Sequence, residues 1–464
     1  MRVTLIGHAC VLIEVGSTRI LTDPWLVGPC QLNAWWQVPP VAHAIDELPP
    51  IDYMMLSHVH DDHFHLPTLA RLPKTATVLI PYSLDPWMRD TLRALGFARV
   101  VELEHGRTYR LPQQLLVENV QCGRIDSAFW VKWKETSLLN LNDCPLSIPW
   151  LRRWRMRHGS PDLALSAFSY ASAYPVCYET AGVDAKRAAT ESMQRVLDQF
   201  AGVMTTLAPR YAVPFATQYG FLIPEQAWMN RAIPTPLQAL AALQARGAAC
   251  EGVLLNPGDQ LVVGEGVQRR GPGFDWERRD ALVDALVQAR ANEVQQALRS
   301  EGQPPETFAE QARGYFTRLL QQNPLMRRRI GVPIGFVLTD RQERWVIDCT
   351  HPADPFTRQN GHAQPIEIHL GSGVLHAAVS GSIHWETLYL SNRFRVKLAS
   401  AGLLGREWEF WRMLFNFPYG VLRDRLRLLT PRGIRIVRRR YPELAGRLME
   451  RLAQPSQREP ARET

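Results

Sequence analysis

The chain has 464 residues, too many for one ordinary domain and enough to bury two cores. Its 46% hydrophobic and 21% charged content is that of a globular protein and excludes a disordered or fibrous chain. No apolar run reaches the roughly 20 residues a membrane-spanning helix needs, and the net charge of +8 comes without a nucleic-acid motif, so no nucleic-acid partner is expected. The seven cysteines, at 10, 30, 122, 144, 177, 250 and 349, are odd in number, recur at no spacing and include no Cys-x-x-Cys, which reads as reduced thiols rather than a zinc ribbon. Residues 1–6 read as a strand, without the apolar core or cleavage site of a signal peptide, and a cytoplasmic location is expected.

Along the chain, strands are expected at 3–6, 11–15, 19–22, 53–57, 77–81, 100–103, 115–121, 128–133, 138–141, 162–166 and 211–215, with helices at 67–70, 86–95 and 185–208. That alternation suits two packed sheets with helices outside, over a first domain of residues 1–265. A turn at Asn256-Pro257-Gly258-Asp259 and a Gly- and charge-rich stretch from Gly264 to Gly273 mark its end. Residues 266–453 read as a second, α+β domain: helices from 276 to 321, strands at 334–339, 344–348, 366–370 and 374–379, a helix at 383–398 and an aromatic, basic stretch from 408 to 429. This order resembles sterol-carrier-like α/β modules, which would make the domain a substrate lid, a dimer interface or a lipid-binding module. Residues 454–464 are polar and expected to be disordered.

Two basic clusters stand out, Arg152-Arg153-Trp154-Arg155-Met156-Arg157-His158 and the stretch from Arg423 to Arg451. Each is a solvated face, a contact for anionic small molecules or, for the C-terminal one, a peripheral membrane contact.

The most specific feature is His58-Val59-His60-Asp61-Asp62-His63, directly after the apolar run 53–57. A strand running into a ligand-rich loop holds side chains at the rim of a sheet, where a metal can be gripped and a substrate admitted. The pattern His-x-His-x-Asp-His resembles the signature of the metallo-β-lactamase fold, an αββα sandwich of the α/β class. The resemblance implies that His58 and His60 face one divalent metal, that Asp62 and His63 face a second, and that Asp61 points away. It also implies a bridging carboxylate from a later strand, for which Asp143, after the run 138–142, is the match. Imidazole and carboxylate ligands suit zinc, iron or manganese.

The chain departs from the hydrolytic members of that fold in two places. Their third histidine on the first metal is missing: the segment reads Gln121-Cys122-Gly123-Arg124-Ile125-Asp126-Ser127-Ala128, with Asp126 the candidate replacement, and neither His65 nor His105 ends a suitable strand. The strand near the end of the domain, Ala212-Val213-Pro214-Phe215-Ala216-Thr217-Gln218, also lacks the histidine hydrolases tend to place there. Fewer imidazoles and one more carboxylate favour iron over a tight zinc pair, and His58, His60 and one carboxylate could form a facial triad with open positions. His8, after the first strand, is a candidate catalytic residue with Asp62 and Asp143, and Asp23 in Asp23-Pro24-Trp25 is a candidate to orient a ligand histidine.

Leu5-Ile6-Gly7-His8-Ala9-Cys10-Val11-Leu12-Ile13-Glu14, Asp23-Pro24-Trp25, Trp35-Trp36-Gln37-Val38-Pro39-Pro40, Leu139-Asn140-Leu141-Asn142-Asp143-Cys144 and Leu255-Asn256-Pro257-Gly258-Asp259 together resemble the catalytic part of the nucleotide-sugar N-acetyl hydroxylases, which act on CMP-N-acetylneuraminate or UDP-N-acetylmuramate. The likeness covers roughly residues 1–265 and, weakly, the region from Trp385 to Phe417. It implies an iron oxygenase that hydroxylates an anionic N-acyl substrate such as a nucleotide sugar, with Arg152, Arg153, Arg155 and Arg210 as candidate anion contacts. Those hydroxylases carry a Rieske centre, which needs two cysteines and two histidines. Here Cys349-Thr350-His351 is one half-match with no cysteine after it, so no iron–sulfur cluster is expected in this chain and a separate Rieske or ferredoxin-type protein would supply electrons. Two alternatives stand beside this reading: a zinc or manganese hydrolase of phosphodiester, amide or lactone bonds, using a metal-activated water, and a non-catalytic metal-binding scaffold.

Overall fold

Apolar residues at every second position build the two sheets of the first half, and their alternation decides which faces meet. In the computed structural model, which describes residues 1–123, 125–169, 172–299, 302–358, 362–416 and 428–441, the first sheet has eight strands. Their order is Gly266–Gln268, Gln260–Val262, Arg2–Gly7, Cys10–Val15, Thr18–Thr22, Tyr53–Met55, Thr77–Pro81 and Val100–Leu103. The second sheet has seven: Glu251–Gly252, Tyr211–Pro214, Leu163–Ser166, Thr136–Asn140, Ser127–Trp133, Leu116–Gln121 and Thr108–Arg110. Val3, Leu5, Val11, Ile13, Met55 and Leu79 of the first pack against Val117, Phe129, Leu138, Leu165 and Val213 of the second, all buried. The alternate residues face outward beneath helices. Met54, Val78 and Ile80 meet Leu69 and Leu92 of helices Leu66–Arg71 and Trp87–Ala94, while Trp130, Leu139 and Ala164 meet Trp154, Phe200 and Leu243 of helices Ile148–His158, Ala185–Leu207 and Pro236–Ala245. The result is the αββα sandwich of the metallo-β-lactamase fold, with one two-sided core and two outer ones.

The second half is α+β around a six-stranded sheet ordered Tyr178–Thr180, Phe394–Leu398, Ile366–Leu370, Pro333–Leu338, Glu343–Asp348, Phe356–Arg358. Its first strand comes from the first half: Tyr178 pairs with Val396 and Thr180 with Leu398. The expected division near 264–273 follows the chain but not the packing. Trp25, Trp35, Trp36, Tyr219 and Phe221 share one buried cluster with Phe336, Trp385, Phe394 and Trp411. Trp35 stacks on Tyr219 with centroids 3.9 Å apart, and its Nε1 donates to the Leu390 carbonyl at 2.9 Å.

Two expected elements differ. Residues 374–379 are not a strand but part of helix Ser372–Val379, because Val374, Leu375, Ala378 and Val379 recur at helical rather than alternating spacing and all are buried. The helix expected at 383–398 breaks in two. Trp385–Leu390 is helical, Asn392 takes φ 54°, and Phe394, Val396 and Leu398 then alternate with Arg395 and Lys397 as a strand. Helices Ile148–His158 and Pro236–Ala245 stand where no helix is expected; Ser147 and Thr235 cap them, with Pro149 and Pro236 in the first turn. The expected disordered tail, 454–464, lies outside the described residues. Among the described residues no helix is long and apolar enough to cross a membrane.

Candidate metal centre

Strand direction gathers the predicted residues at one rim. Thr18–Thr22 and Tyr53–Met55 are parallel, so Asp23 and the loop from Ser57 to His63 leave the sheet side by side. Arg2–Gly7 runs the same way, two antiparallel pairings removed, which brings His8 to that edge. In the facing sheet, Ser127–Trp133 is antiparallel to Thr136–Asn140, so Asp126 before one and Asp143 after the other lie at one end. Ser127 Oγ donates to the Ser57 carbonyl at 2.7 Å and ties the two sheets together beside the site. A tight turn shapes the motif loop: the amides of His63 and Phe64 both donate to the His60 carbonyl, at 3.0 and 2.7 Å.

Within this rim each ligand candidate is held from behind. Asp23, fully buried, accepts from the Ser57 amide and the Ser57 hydroxyl, both at 2.7 Å, and from His63 Nδ1 at 2.9 Å. That bond orients the His63 ring so that Nε2 points into the site. Ser57 Oγ also lies 2.9 Å from His58 Nδ1. Asp62 is anchored by Gln31 Nε2 at 3.0 Å on one oxygen and faces His8 Nε2 and His63 Nε2, each at 3.1 Å, with the other. His58 Nε2 lies 2.9 Å from His60 Nδ1 and 3.6 Å from Asp143.

Three overlapping groups offer ligand atoms within 4.8 Å of one another: His58, His60 and Asp126; His58, His63 and Asp143; and His8, Asp62 and His63. His63 Nε2 and Asp143 Oδ1 are buried polar atoms without a hydrogen-bond partner. Buried polar atoms normally find partners, and such atoms facing other ligand nitrogens and carboxylates fit metal ions. Asp61 belongs to none of the groups.

The electrostatics are those of carboxylates and imidazoles crowded together in a buried cluster. Burial pushes the Asp126 carboxyl up to about 7, helped by Asp143, and burial with the neighbouring Asp62 pushes Asp61 up to about 6. Burial opposes ionisation of Asp143 as well, but His58 and His63 overcome it and hold its pKa below the ordinary value. Asp62 is likewise held down against burial by His63 and His8. Burial drives the His58 imidazole well below its usual range, while His63 is raised against burial by Asp62 and Asp143.

Four predicted residues stay away from this rim. Arg152 and Arg153 are exposed on helix Ile148–His158, and Arg155 donates to the Thr206 carbonyl at 3.0 Å. Arg210 precedes strand Tyr211–Pro214, at the end opposite the metal cluster, with its guanidinium 5.1 Å from the Tyr211 ring centroid. The C-terminal basic stretch turns part of its charge inward. In the helical run 431–441, Arg432 pairs with Glu102, and Arg439 with Glu104 at 3.1 Å. His65, before helix Leu66–Arg71, meets Thr68 Oγ1 at 2.9 Å, and His105 Nδ1 accepts from the Gln121 amide at 2.9 Å, so both are engaged away from the cluster. Cys349 is buried, and burial pushes its thiol up to about 12.

Sequence reasoning missed Gln31, Ser57 and Glu386. Ser57 adjoins the motif and was readable as part of it. Gln31, Leu32 and Asn33 form a run of left-handed residues, φ 49°, 55° and 59°, that only a structure reveals. Glu386 comes from the second half and lies 3.9 Å from His60 Nε2.

Residues 2–126 match the family described as Beta-lactamase superfamily domain. Over 386 residues the chain is 30% identical to a protein of Mycolicibacterium smegmatis named putative Rieske 2Fe-2S iron-sulfur protein, covering 75% of this chain and 72% of that one. The chain belongs to the β-lactamase superfamily. It is also 26% identical over 226 residues to the cytidine monophosphate-N-acetylneuraminic acid hydroxylase of Danio rerio, covering 46% of this chain and 37% of that one. Among solved structures it is similar to CmlA, a diiron β-hydroxylase from Streptomyces venezuelae, with a TM-score of 0.38 and 21% identity over 55% of this chain and 53% of that one. The chain spans about half the length of the first curated relatives it matches. The branch expected from the sequence is thus the one in which its relatives fall, and fold and site together support a metal-dependent enzyme.

Proposed function

We propose that this chain is the metal-binding part of an oxygen-dependent hydroxylase, holding iron at His58, His60, Asp62, His63, Asp126 and Asp143. The observation that carries the reading is Asp126 beside His58 and His60, where a hydrolase of this fold places a third imidazole. Two imidazoles and one carboxylate with open positions are a donor set that suits iron. When bound, iron would supply the redox chemistry with dioxygen that no side chain can perform. The chain's own residues orient the ligands: Asp23 and Ser57 aim His63, and Gln31 and His8 fix Asp62.

Hydroxylation converts a C–H bond, dioxygen, two electrons and two protons into C–OH and water. The electrons need a donor, and a separate Rieske or ferredoxin-type protein is the proposed one. The name of the Danio rerio relative favours an N-acyl substrate. Metal analysis of protein purified without air tests the reading. Iron at one to two equivalents is expected on the basis of this donor set; two tightly held zinc ions, with hydrolysis of a generic phosphodiester, would replace it by the hydrolase alternative.

A further inference from the structure

A cavity of about 550 Å³ adjoins the metal centre, with His60 and Asp126 of the rim and Glu386 of the second half in its wall. The remaining wall joins the two halves: Met193 and Val196 from helix Ala185–Leu207, Tyr174 from the segment entering the third sheet, and Tyr389, Trp408 and Phe415 from the C-terminal helices. Its polar groups away from the rim are the neutral hydroxyls of Ser169, Ser172 and Ser192 and of the two tyrosines. Among the described residues no arginine or lysine lines it.

We propose that this cavity takes an uncharged, mainly apolar group of the substrate, aryl or acyl. The proposal rests on the hydroxylase reading and narrows its substrate. Carboxylates already face the cavity and cluster beside it. The arginines that the sequence offers as anion contacts lie on the outer helix and at the far end of strand Tyr211–Pro214. The volume is that of a pocket for a small organic group, and aromatic walls with a few neutral hydroxyls are what such a group requires.

The test is fluorescence titration of the full chain with N-phenyl-1-naphthylamine, an uncharged apolar probe, alone and against uridine diphosphate. One saturable site is expected, unmoved by uridine diphosphate and weakened at least tenfold by Val196→Trp, which fills the cavity. Displacement by uridine diphosphate, or undiminished binding to a folded Val196→Trp, would overturn the proposal. Should that variant fail to fold, photolabelling of the native chain with a neutral phenyl diazirine decides: label on peptides carrying Met193, Val196 or Tyr389 supports it, and label elsewhere only overturns it. Metal content read on the same sample separates the two claims. Zinc in place of iron would end the hydroxylase reading without changing the probe result.

Discussion

Asp23 shows how one buried carboxylate can govern a metal site it does not enter. Its three hydrogen bonds hold Ser57 and the Nδ1 side of His63, so that His63 Nε2 faces Asp62 and Asp143. Asp23→Asn puts an amide donor against groups that themselves donate. Metal affinity is expected to fall roughly 10–100-fold, read by competition titration with a chelator, with the fold retained. Glu407 tests a different buried acid. It accepts from Tyr178 at 2.8 Å and from Trp411, and burial pushes its carboxyl from 4.5 up to about 7. Between those two pH values the folded chain holds a proton that the unfolded chain has released, so its contribution to stability is lost as pH rises through that window. Glu407→Gln removes the dependence. Its stability relative to the parent should improve by about 3 kcal/mol between pH 4 and pH 8, measured by denaturant titration; an unchanged difference would show that Glu407 is not so perturbed.

At the scale of elements, the motif loop and strands were readable because chemistry and alternation are local. His58, His60, Asp62 and His63 lie within six residues, and Asp143 ends an apolar run. Helix Trp385–Leu390 and strand Phe394–Leu398 were read as one helix because the break at Asn392 rests on a left-handed residue rather than on glycine or proline. Glu386 could not be assigned to the site from sequence, since 326 positions separate it from His60 and only packing of the halves joins them. Trp35 carries that packing through its stack on Tyr219 and its bond to Leu390. Trp35→Ala should cost about 3–5 kcal/mol and weaken both halves together, seen as one shifted transition in calorimetry. Two separated transitions would mean that the halves melt independently.

At full length, the sandwich of the first half packs against an α+β second half that lies beside the metal rim. The shared cluster from Trp25 to Trp411 means that residues 1–265 alone would leave Trp35, Trp36, Tyr219 and Phe221 without their cover. That fragment should be poorly soluble and bind apolar dye, whereas a monomeric, dye-free fragment would show that the first half folds alone. What the sequence could not supply is this closure: no local pattern tells that the cavity beside His60 and Asp126 has walls from both halves. Oxygen chemistry at the site built on Asp126 is tested by oxygen consumption of the anaerobically purified, iron-loaded chain with a chemical reductant. Reductant-dependent uptake is expected, and His58→Ala and Asp126→Ala should abolish it. No uptake by iron-loaded protein, or uptake unaffected by both substitutions, would contradict it.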